Sequence, residues 1–427
     1  MIILATILSG LSLLLSILFP IQLKKINSIY FAKLAAGAFS PVWAIIGAVG
    51  ALTGWISGAY WAVPMGILGA GMMILYIWRC TQDHKGFEDA FGSDWEDQIS
   101  PEQKTKHMVK RRWSWFLKMK TSPEPAWERD VPFWTVPGTD RQLLCDIWRP
   151  ADGEVSGLAF VYFHGGGWTA MDKDFGTRPF FQHLVAQGHT VMDVSYRLCP
   201  EVDIYGVIGD VKRAIAWMKA NASHYGVNPE KIVLGGGSAG AHLALLAAYT
   251  PEHPELTPQD IKDADLSVHG VISYYAPTDL EVGYKPWLTA NPRIKMDPVP
   301  MGTRLEPSEA MRYLGRLDLL LGGSPQEVPD IYQLVNPTNH VQRDCPPTLL
   351  FQGDKDVLVP LDTTCALYTK LVQAGVPAIK VVFPWTEHGF DLFFPPQVNP
   401  AAQSAFYDVD RFLALIANTN GRNGVTN

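Results

Sequence analysis

The sequence predicts an α/β domain, with a mostly parallel sheet, helices on both faces and a cap insertion, preceded by an N-terminal helical transmembrane region. The first observation is that short apolar runs alternate with helical patterns, as parallel strands buried on both faces do. The second is that residues 1–78 contain only three charged side chains, Lys24, Lys25 and Lys33. Predicted strands lie near residues 158, 190, 232, 270, 348 and 379, and predicted helices cover residues 175–187, 207–224, 239–249, 362–374 and 401–417.

The first 78 residues are predicted to cross a membrane about three times. Residues 2–20 form a 19-residue apolar stretch, which at about 1.5 Å per residue nearly spans a ~30 Å hydrocarbon core. Residues 41–78 are 38 residues without a charge, so we expect two short spans with a turn at residues 54–58; a re-entrant hairpin is the alternative. A cleaved signal peptide is disfavoured because no basic segment precedes the first apolar core.

The positive charges predict the orientation of these spans. The three lysines lie between the first and second spans, and Arg79 directly follows the last. Cytoplasmic loops are enriched in Lys and Arg. We therefore expect a multi-pass membrane protein whose large C-terminal domain lies on the cytoplasmic side, whichever arrangement residues 41–78 adopt.

Composition divides the rest of the chain into three regions. Residues 79–128 are a basic, aromatic connector, residues 129–417 are the α/β domain, and the polar residues 418–427 are predicted to be a disordered tail. The connector is predicted to lie on an anionic membrane surface, or else to be a solvated helix. The basic side chains that support this prediction are Lys104, Lys106, Lys110, Arg111, Arg112, Lys118 and Lys120. The aromatic side chains among them are Trp113, Trp115 and Phe116.

Within the domain, residues 132–136 and 143–148 predict an antiparallel pair of strands before the parallel ones. Between residues 279 and 345 the alternation gives way to Pro-rich loop and short helix, which predicts a cap over the C-terminal edge of the sheet. Tyr284 and Trp287 in this cap are expected either to line a pocket or simply to pack the cap.

A glycine-rich corner at residues 236–240 carries the strongest functional signal. The run G-G-S-A-G follows an apolar strand and precedes an Ala-rich helical segment. A serine at a sharp strand-to-helix turn is a nucleophile elbow, with its hydroxyl at a helix N-terminus. The alternative is a turn whose serine merely caps the helix. We expect Ser238 to be a nucleophile.

A second glycine run, H-G-G-G-W at residues 164–168, follows another predicted strand. Acyl transfer needs amide N–H groups aimed at the oxygen that becomes charged, and consecutive glycines leave backbone amides free for that role. A glycine-rich turn without chemistry is the alternative. His164 is expected to be a structural residue that holds this loop rather than the catalytic base.

A base and its orienting acid complete the predicted chemistry. His388 lies on the loop after the last predicted strand, where it can reach the sheet edge that carries Ser238. The strand near residue 348 ends in Asp354 and Asp356. A carboxylate there can accept the imidazole N–H and fix its tautomer. The residues alone do not separate these two aspartates.

These motifs resemble the hormone-sensitive-lipase-like esterases and related carboxylesterases of the α/β-hydrolase superfamily. The resemblance runs from about residue 131 to residue 417, with the nucleophile, acid and base in the order of that superfamily. It covers five motifs in order, which are H-G-G-G-W at 164–168, Y-R-L-C-P-E at 196–201, G-G-S-A-G at 236–240, G-D-K-D-V-L-V-P at 353–360 and E-H-G-F at 387–390.

The resemblance implies an α/β-hydrolase fold and assigns several residues. The second aspartate of the acid loop is catalytic in this family, which implies Asp356, and the oxyanion donors would be the amides of Gly166, Gly167 and Ala239. One departure is Gly237, because the lipase-like group commonly has Asp before the nucleophile. The departure leaves the subgroup and the substrate open.

Composition excludes other functions. The net charge is −7, and the domain has no basic face, which argues against nucleic acid as a partner. Five scattered cysteines without C-x-x-C spacing indicate neither a disulfide framework nor a zinc site. They are typical of a reducing compartment.

We therefore expect a membrane-anchored serine esterase that needs no metal or cofactor. Its partners would be the lipid bilayer and a small-molecule ester, and the membrane tether favours a lipophilic one. No feature of the sequence fixes an oligomeric state. An amidase or arylformamidase with the same triad is one alternative. A non-catalytic ligand-binding receptor on the same scaffold is the other.

Overall fold

The computed structural model describes residues 1–106, 108–115, 125–151, 155–291 and 294–418. The predictions for Phe116, Lys118, Lys120 and the tail after residue 418 lie outside these residues. The described chain begins with four helices, which are α1 (Ile2–Ile17), α2 (Ser28–Ala38), α3 (Ser40–Ser57) and α4 (Ala62–Cys80).

Helices α1, α3 and α4 pack together as a bundle through small residues. A Cβ on Gly66 of α4 would lie only 2.4 Å from the carbonyl oxygen of Gly47 on α3, so these two backbones are in direct contact. The outward faces carry exposed large apolar side chains such as Leu52, Trp55 and Leu68. By length and composition, α3 and α4 are each able to cross a membrane, whereas α1 has 16 residues and is shorter.

Two details of the N-terminal prediction were wrong. The turn expected at residues 54–58 begins after Ser57, because Gly58 adopts the left-handed conformation (φ 74°) that ends α3. The lysine-bearing segment expected to be a loop contains helix α2, whose first turn is capped by the side chain of Asn27. Helix α2 packs against the C-terminal domain rather than against the bundle alone.

The connector contains two short helices, α5 (Gly86–Phe91) and α6 (Pro101–Lys106). Its described part is neither one continuous solvated helix nor free of the domain. Arg112 is buried and forms an ion pair with Asp408 (Nη2–Oδ1 2.8 Å). The amide of Val109 donates to Asp410 Oδ2 at 2.7 Å. The connector is therefore fixed to the last helix of the domain by buried charge.

The described residues of the domain form an eight-stranded sheet in the order β1-β2-β4-β3-β5-β6-β7-β8. The first pairing is antiparallel, as is that of β2 with β4, and all the others are parallel. This confirms the predicted mostly parallel sheet. The strands are β1 (Ala126–Thr135), β2 (Gln142–Arg149), β3 (Ala159–Phe163), β4 (Thr190–Val194), β5 (Ile232–Gly237), β6 (Gly270–Tyr274), β7 (Thr348–Gly353) and β8 (Ala378–Phe383).

Helices cover both faces of this sheet. Every residue of β3 to β7 is buried, and successive side chains of a strand point to opposite faces. The covering and cap helices are α7 (Arg178–Val185), α8 (Ile204–Ala220), α9 (Ala239–Tyr249), α10 (Leu280–Ala290), α11 (Pro307–Ala310), α12 (Leu317–Leu321), α13 (Pro329–Leu334), α14 (Leu361–Gln373) and α15 (Pro400–Asn418). Short 3-10 helices are Trp95–Gln98, Ala222–Tyr225, Gln259–Ile261, Met311–Tyr313 and Pro337–His340.

The predicted cap corresponds to the segment between β6 and β7, which contains α10 to α13. Trp287 on α10 is buried and its ring lies 5.8 Å from the ring of Trp168, measured between centroids. Tyr284 is half-buried and faces Tyr332 of the same cap. The cap thus covers the C-terminal edge of the sheet, where β3, β5, β7 and β8 end in the predicted functional loops.

Candidate active site

Ser238 occupies the corner between β5 and α9. Its backbone is strained, with φ 56° and ψ −122°, a conformation that non-glycine residues rarely adopt and that concentrates at functional sites. Its amide donates to the carbonyl of Tyr274 at 2.9 Å, which fixes the corner to β6. A Cβ on Gly240 would lie 2.0 Å from the carbonyl oxygen of Phe163. Glycine is therefore required there for α9 to approach β3.

His388 lies between Ser238 and Asp356. Its Nε2 is 2.9 Å from Ser238 Oγ, and its Nδ1 is 2.8 Å from Asp356 Oδ2. All three residues are buried, with between 7% and 8% of each exposed. The chain brings them together from the ends of three strands, since Ser238 follows β5, Asp356 follows β7 and His388 follows β8.

The acid loop separates the two aspartates that sequence reasoning left open. Asp356 accepts hydrogen bonds from His388, from the side chain of Gln352 at 2.8 Å and from the amides of Leu358 and Val359, both at 2.8 Å. Asp354 instead accepts from the amide of Trp385 at 2.5 Å. Only Asp356 is therefore placed to orient His388.

The glycine loop after β3 lies against the serine corner. A Cβ on Gly165 would be 3.1 Å from the carbonyl oxygen of Gly237, so the two segments touch. Gly167 has φ 60°, and a Cβ there would meet the amide nitrogen of Gly315 at 2.6 Å. In the part of the chain that the structure describes, no acceptor pairs with the amides of Gly166, Gly167 or Ala239. These three N–H groups are the donors that the oxyanion prediction names.

His164 holds this loop, as expected of a structural residue. Its Nδ1 is 2.7 Å from the carbonyl oxygen of Gly165, its own carbonyl accepts from Tyr196 OH at 2.7 Å, and its ring stacks on that of Tyr196. Burial lowers the pKa of His164, which favours the neutral imidazole.

Two groups beside His388 were not identified as functional from the sequence. The ring of Tyr275 lies 4.5 Å from that of His388, and its hydroxyl donates to Asp391 Oδ1 at 2.5 Å. Burial raises the pKa of Asp391 to about 6. Asp391 lies three residues after His388, and this closeness in sequence is the signal that could have identified Asp391 as a neighbour of the active site.

The other group belongs to helix α2. Lys33 Nζ lies 2.7 Å from Glu387 Oε1, and Tyr30 OH donates to the carbonyl of His388 at 2.6 Å. Burial raises the pKa of Glu387 to about 7 and lowers that of Lys33. Lys33 is one of three lysines in a region with few charges, and the positive-inside interpretation of those lysines does not anticipate this pairing.

The strand order, the strained serine and the glycine loop facing it define an α/β hydrolase of the carboxylesterase-like class. A family profile described as BD-FAE matches residues 145–371, just over half of the chain. The chain therefore belongs to the BD-FAE family. This confirms the resemblance found in its motifs.

Two relatives from Mycobacterium tuberculosis are named as a carboxylic ester hydrolase and an esterase. The chain is 32% identical over 275 residues to the probable carboxylic ester hydrolase LipM of Mycobacterium tuberculosis, covering 64% of this chain and 58% of LipM. It is 30% identical over 341 residues to esterase LipQ of the same organism, covering 78% of this chain and 74% of LipQ. Residues 129–427 are 299 of 427 positions, or 70%, so the LipQ match, which covers 78% of the chain, extends at least into the connector.

A solved esterase has a similar fold. Esterase 2 of the planctomycete Thermogutta terrifontis, with butyrate bound, superposes with a TM-score of 0.51 at 26% identity, covering 67% of this chain and 92% of that one. The same esterase phosphonylated by sarin gives a TM-score of 0.51 at 28% identity, covering 68% of this chain and 95% of that one. These relatives and solved structures are named as esterases or ester hydrolases, and the chain spans 58% of the length of LipM and 74% of that of LipQ.

Proposed function

We propose that this chain is a membrane-anchored serine hydrolase that cleaves carboxylic esters through an acyl-enzyme. The observation that carries the proposal is the continuous hydrogen-bonded path from Ser238 Oγ through His388 to Asp356, with separations of 2.9 and 2.8 Å. A histidine with a hydroxyl on one nitrogen and a carboxylate on the other is the arrangement that activates a serine.

In this mechanism Ser238 Oγ attacks the ester carbonyl while His388 Nε2 takes its proton. Asp356 stabilises the imidazolium that forms, and the amides of Gly166, Gly167 and Ala239 donate to the developing oxyanion. His388 then returns the proton to the leaving alkoxide, which departs as the alcohol. Water deprotonated by His388 attacks the acyl-enzyme, releasing the carboxylic acid and restoring Ser238.

The proposal is tested by covalent labelling. A fluorophosphonate probe should label the wild-type chain and fail to label Ser238→Ala. Ser273→Ala is a matched control, because Ser273 is a buried serine on β6 whose register partner is Gly236. Labelling that persists in Ser238→Ala would refute the assignment. Sarin-phosphonylated esterase 2 shows that organophosphorus probes react with a member of this fold.

The preferred substrate is tested with p-nitrophenyl esters of acyl length C2 to C16, compared with an aryl formamide. The membrane tether favours a lipophilic ester, so activity is expected to persist at the longer chains. A rate maximum at C2–C4 would contradict the lipophilic substrate, and faster turnover of the formamide would favour the amidase alternative.

The membrane part of the proposal rests on the N-terminal bundle. Helices α3 and α4 are apolar over 18 and 19 residues, and with α1 they give three spans in a multi-pass arrangement. The C-terminus of α4 then lies on the side of the lysines of the first loop, which is the cytoplasmic side by the positive-inside rule. In intact cells, a membrane-impermeant maleimide should label Tyr60→Cys, in the turn between α3 and α4, but not Lys262→Cys in the domain. The reverse pattern would overturn this orientation.

A further inference from the structure

The loop that carries His388 is held from outside the α/β domain. Residues of the N-terminal helices contact four consecutive loop positions before and at the histidine. Arg79 lies over the ring of Trp385 at 4.5 Å, Tyr76 OH is 3.2 Å from Thr386 Oγ1, Lys33 pairs with Glu387, and Tyr30 donates to the carbonyl of His388.

The ion pair between Lys33 and Glu387 is fully enclosed. Only 1% of each side chain is exposed, and the Nζ–Oε1 distance is 2.7 Å. Lys33 Nζ also donates to the carbonyl of Ile21 at 2.7 Å, which ties the pair to the segment between α1 and α2. A charge taken out of water is tolerated only with a partner, so each of these two groups requires the other.

This pair lies at the meeting point of the two loops that carry His388 and Asp356. Glu387 is the residue before His388, and both the charge of Asp356 and the backbone amide of Val357 affect its pKa. Further groups that act on the pair or on their neighbours are Tyr30 on α2, Asp354 and Lys355 on the acid loop, and Arg79 on α4. A change in this ion pair is therefore expected to affect both the loop that carries His388 and the loop that carries Asp356.

We propose that helix α2 is a working part of the active site, in which Lys33 and Tyr30 act as positioning residues that hold the His388 loop in its catalytic geometry. The domain then depends for full activity on its own N-terminal region, which is more than a membrane anchor. The proposal rests on the proposed serine hydrolase function. Neither residue contacts the reacting atoms, since Lys33 acts through Glu387 and Tyr30 through the His388 backbone.

The first test is Lys33→Met in the full-length, detergent-solubilised chain, with Lys25→Met as control. Lys25 lies in the same N-terminal segment but is exposed. A displacement of about 1 Å at a catalytic group costs on the order of 10²-fold, so we expect kcat for p-nitrophenyl acetate to fall by roughly 10- to 100-fold in Lys33→Met, with little change in KM. Lys25→Met should match the wild type.

Rescue separates positioning from simple destabilisation. The double variant Lys33→Met/Glu387→Gln removes both buried charges and should recover most of the lost kcat, whereas Glu387→Gln alone leaves the Lys33 cation unpaired. That cation disfavours the imidazolium, so the acid limb of the kcat/KM profile should move to lower pH in Glu387→Gln and return in the double variant. Tyr30→Phe, which keeps the ring and removes one hydrogen bond, should lower kcat without lowering the melting temperature appreciably.

The outcomes are distinct. The proposal is overturned if Lys33→Met and Tyr30→Phe keep the wild-type kcat and pH profile. It is also overturned if kcat falls only in step with the melting temperature and the double variant does not recover it. If the wild-type chain itself neither hydrolyses esters nor reacts with the fluorophosphonate, the proposed function fails instead.

Discussion

Replacing Asp356 by Asn should nearly abolish turnover while leaving the fold intact. Asp356 Oδ1 accepts from two backbone amides, and Oδ2 accepts from His388 Nδ1 and from the Gln352 amide. An asparagine must direct its oxygen at the two backbone amides, because its NH₂ group cannot accept from them. The NH₂ group then faces His388 Nδ1, where one donor meets another.

The magnitude follows from the tautomer that this conflict imposes. His388 relieves the donor–donor contact by moving its proton to Nε2, the nitrogen 2.9 Å from Ser238 Oγ, and in that form it cannot accept the serine proton. The wrong tautomer at a catalytic triad costs about 10⁴-fold in kcat, or about 5.4 kcal/mol at about 1.36 kcal/mol per tenfold. KM should change little because Asp356 does not contact the substrate.

The assay is steady-state hydrolysis of p-nitrophenyl acetate by the full-length chain in detergent, with the melting temperature measured on the same samples. Asp354→Asn is the matched control, since an asparagine oxygen there can still accept from the amide of Trp385; it should keep kcat close to wild type. Retention of more than about a tenth of kcat by Asp356→Asn, or an equal loss in Asp354→Asn, would refute this reasoning.

Two further predictions concern stability. Gly66→Leu should lower the free energy of unfolding by about 1–3 kcal/mol, because the new side chain overpacks against Gly47. Gly71→Leu is the control and should not lower it, because a Cβ at Gly71 meets no atom within 4 Å. Equal melting temperatures of the two variants would contradict the bundle packing. Burial raises the pKa of Asp391 to about 6 from 3.8. The contribution of this carboxyl to the free energy of unfolding is therefore fully present below about pH 4 and is lost as the pH rises through 6. Asp391→Asn should remove that dependence, seen as a smaller change in melting temperature between pH 4.5 and 6.5 than in the wild type, and an unchanged difference would count against it.

The α/β domain was predictable because its signals are local. Each buried strand is an apolar run bounded by turn residues, and helix α9 was expected at residues 239–249, as observed. The serine corner and the glycine loop were predictable for the same reason, since each is one short motif after one strand. Their catalytic roles stay predictions, although the distances are those that the roles require.

The contribution of helix α2 was not predictable, because it depends on a contact across most of the chain. A lysine beside apolar segments has the same local pattern whether it marks a cytoplasmic loop or pairs with a buried carboxylate. Nothing near Lys33 in sequence indicates Glu387. The choice between Asp354 and Asp356 is similar, since it depends on which carboxylate the amides of Leu358 and Val359 reach.

The pairing of Lys33 with Glu387 has a consequence for biosynthesis. The two residues are 354 positions apart, and translation proceeds at about 5–20 residues per second, so roughly 20–70 s separate their emergence from the ribosome. During that interval α2 has been synthesised, but Lys33 has no Glu387 with which to pair. A nascent chain released before residue 387 never closes this pair, so truncated products should expose α2 to proteases that cannot reach it in the finished protein.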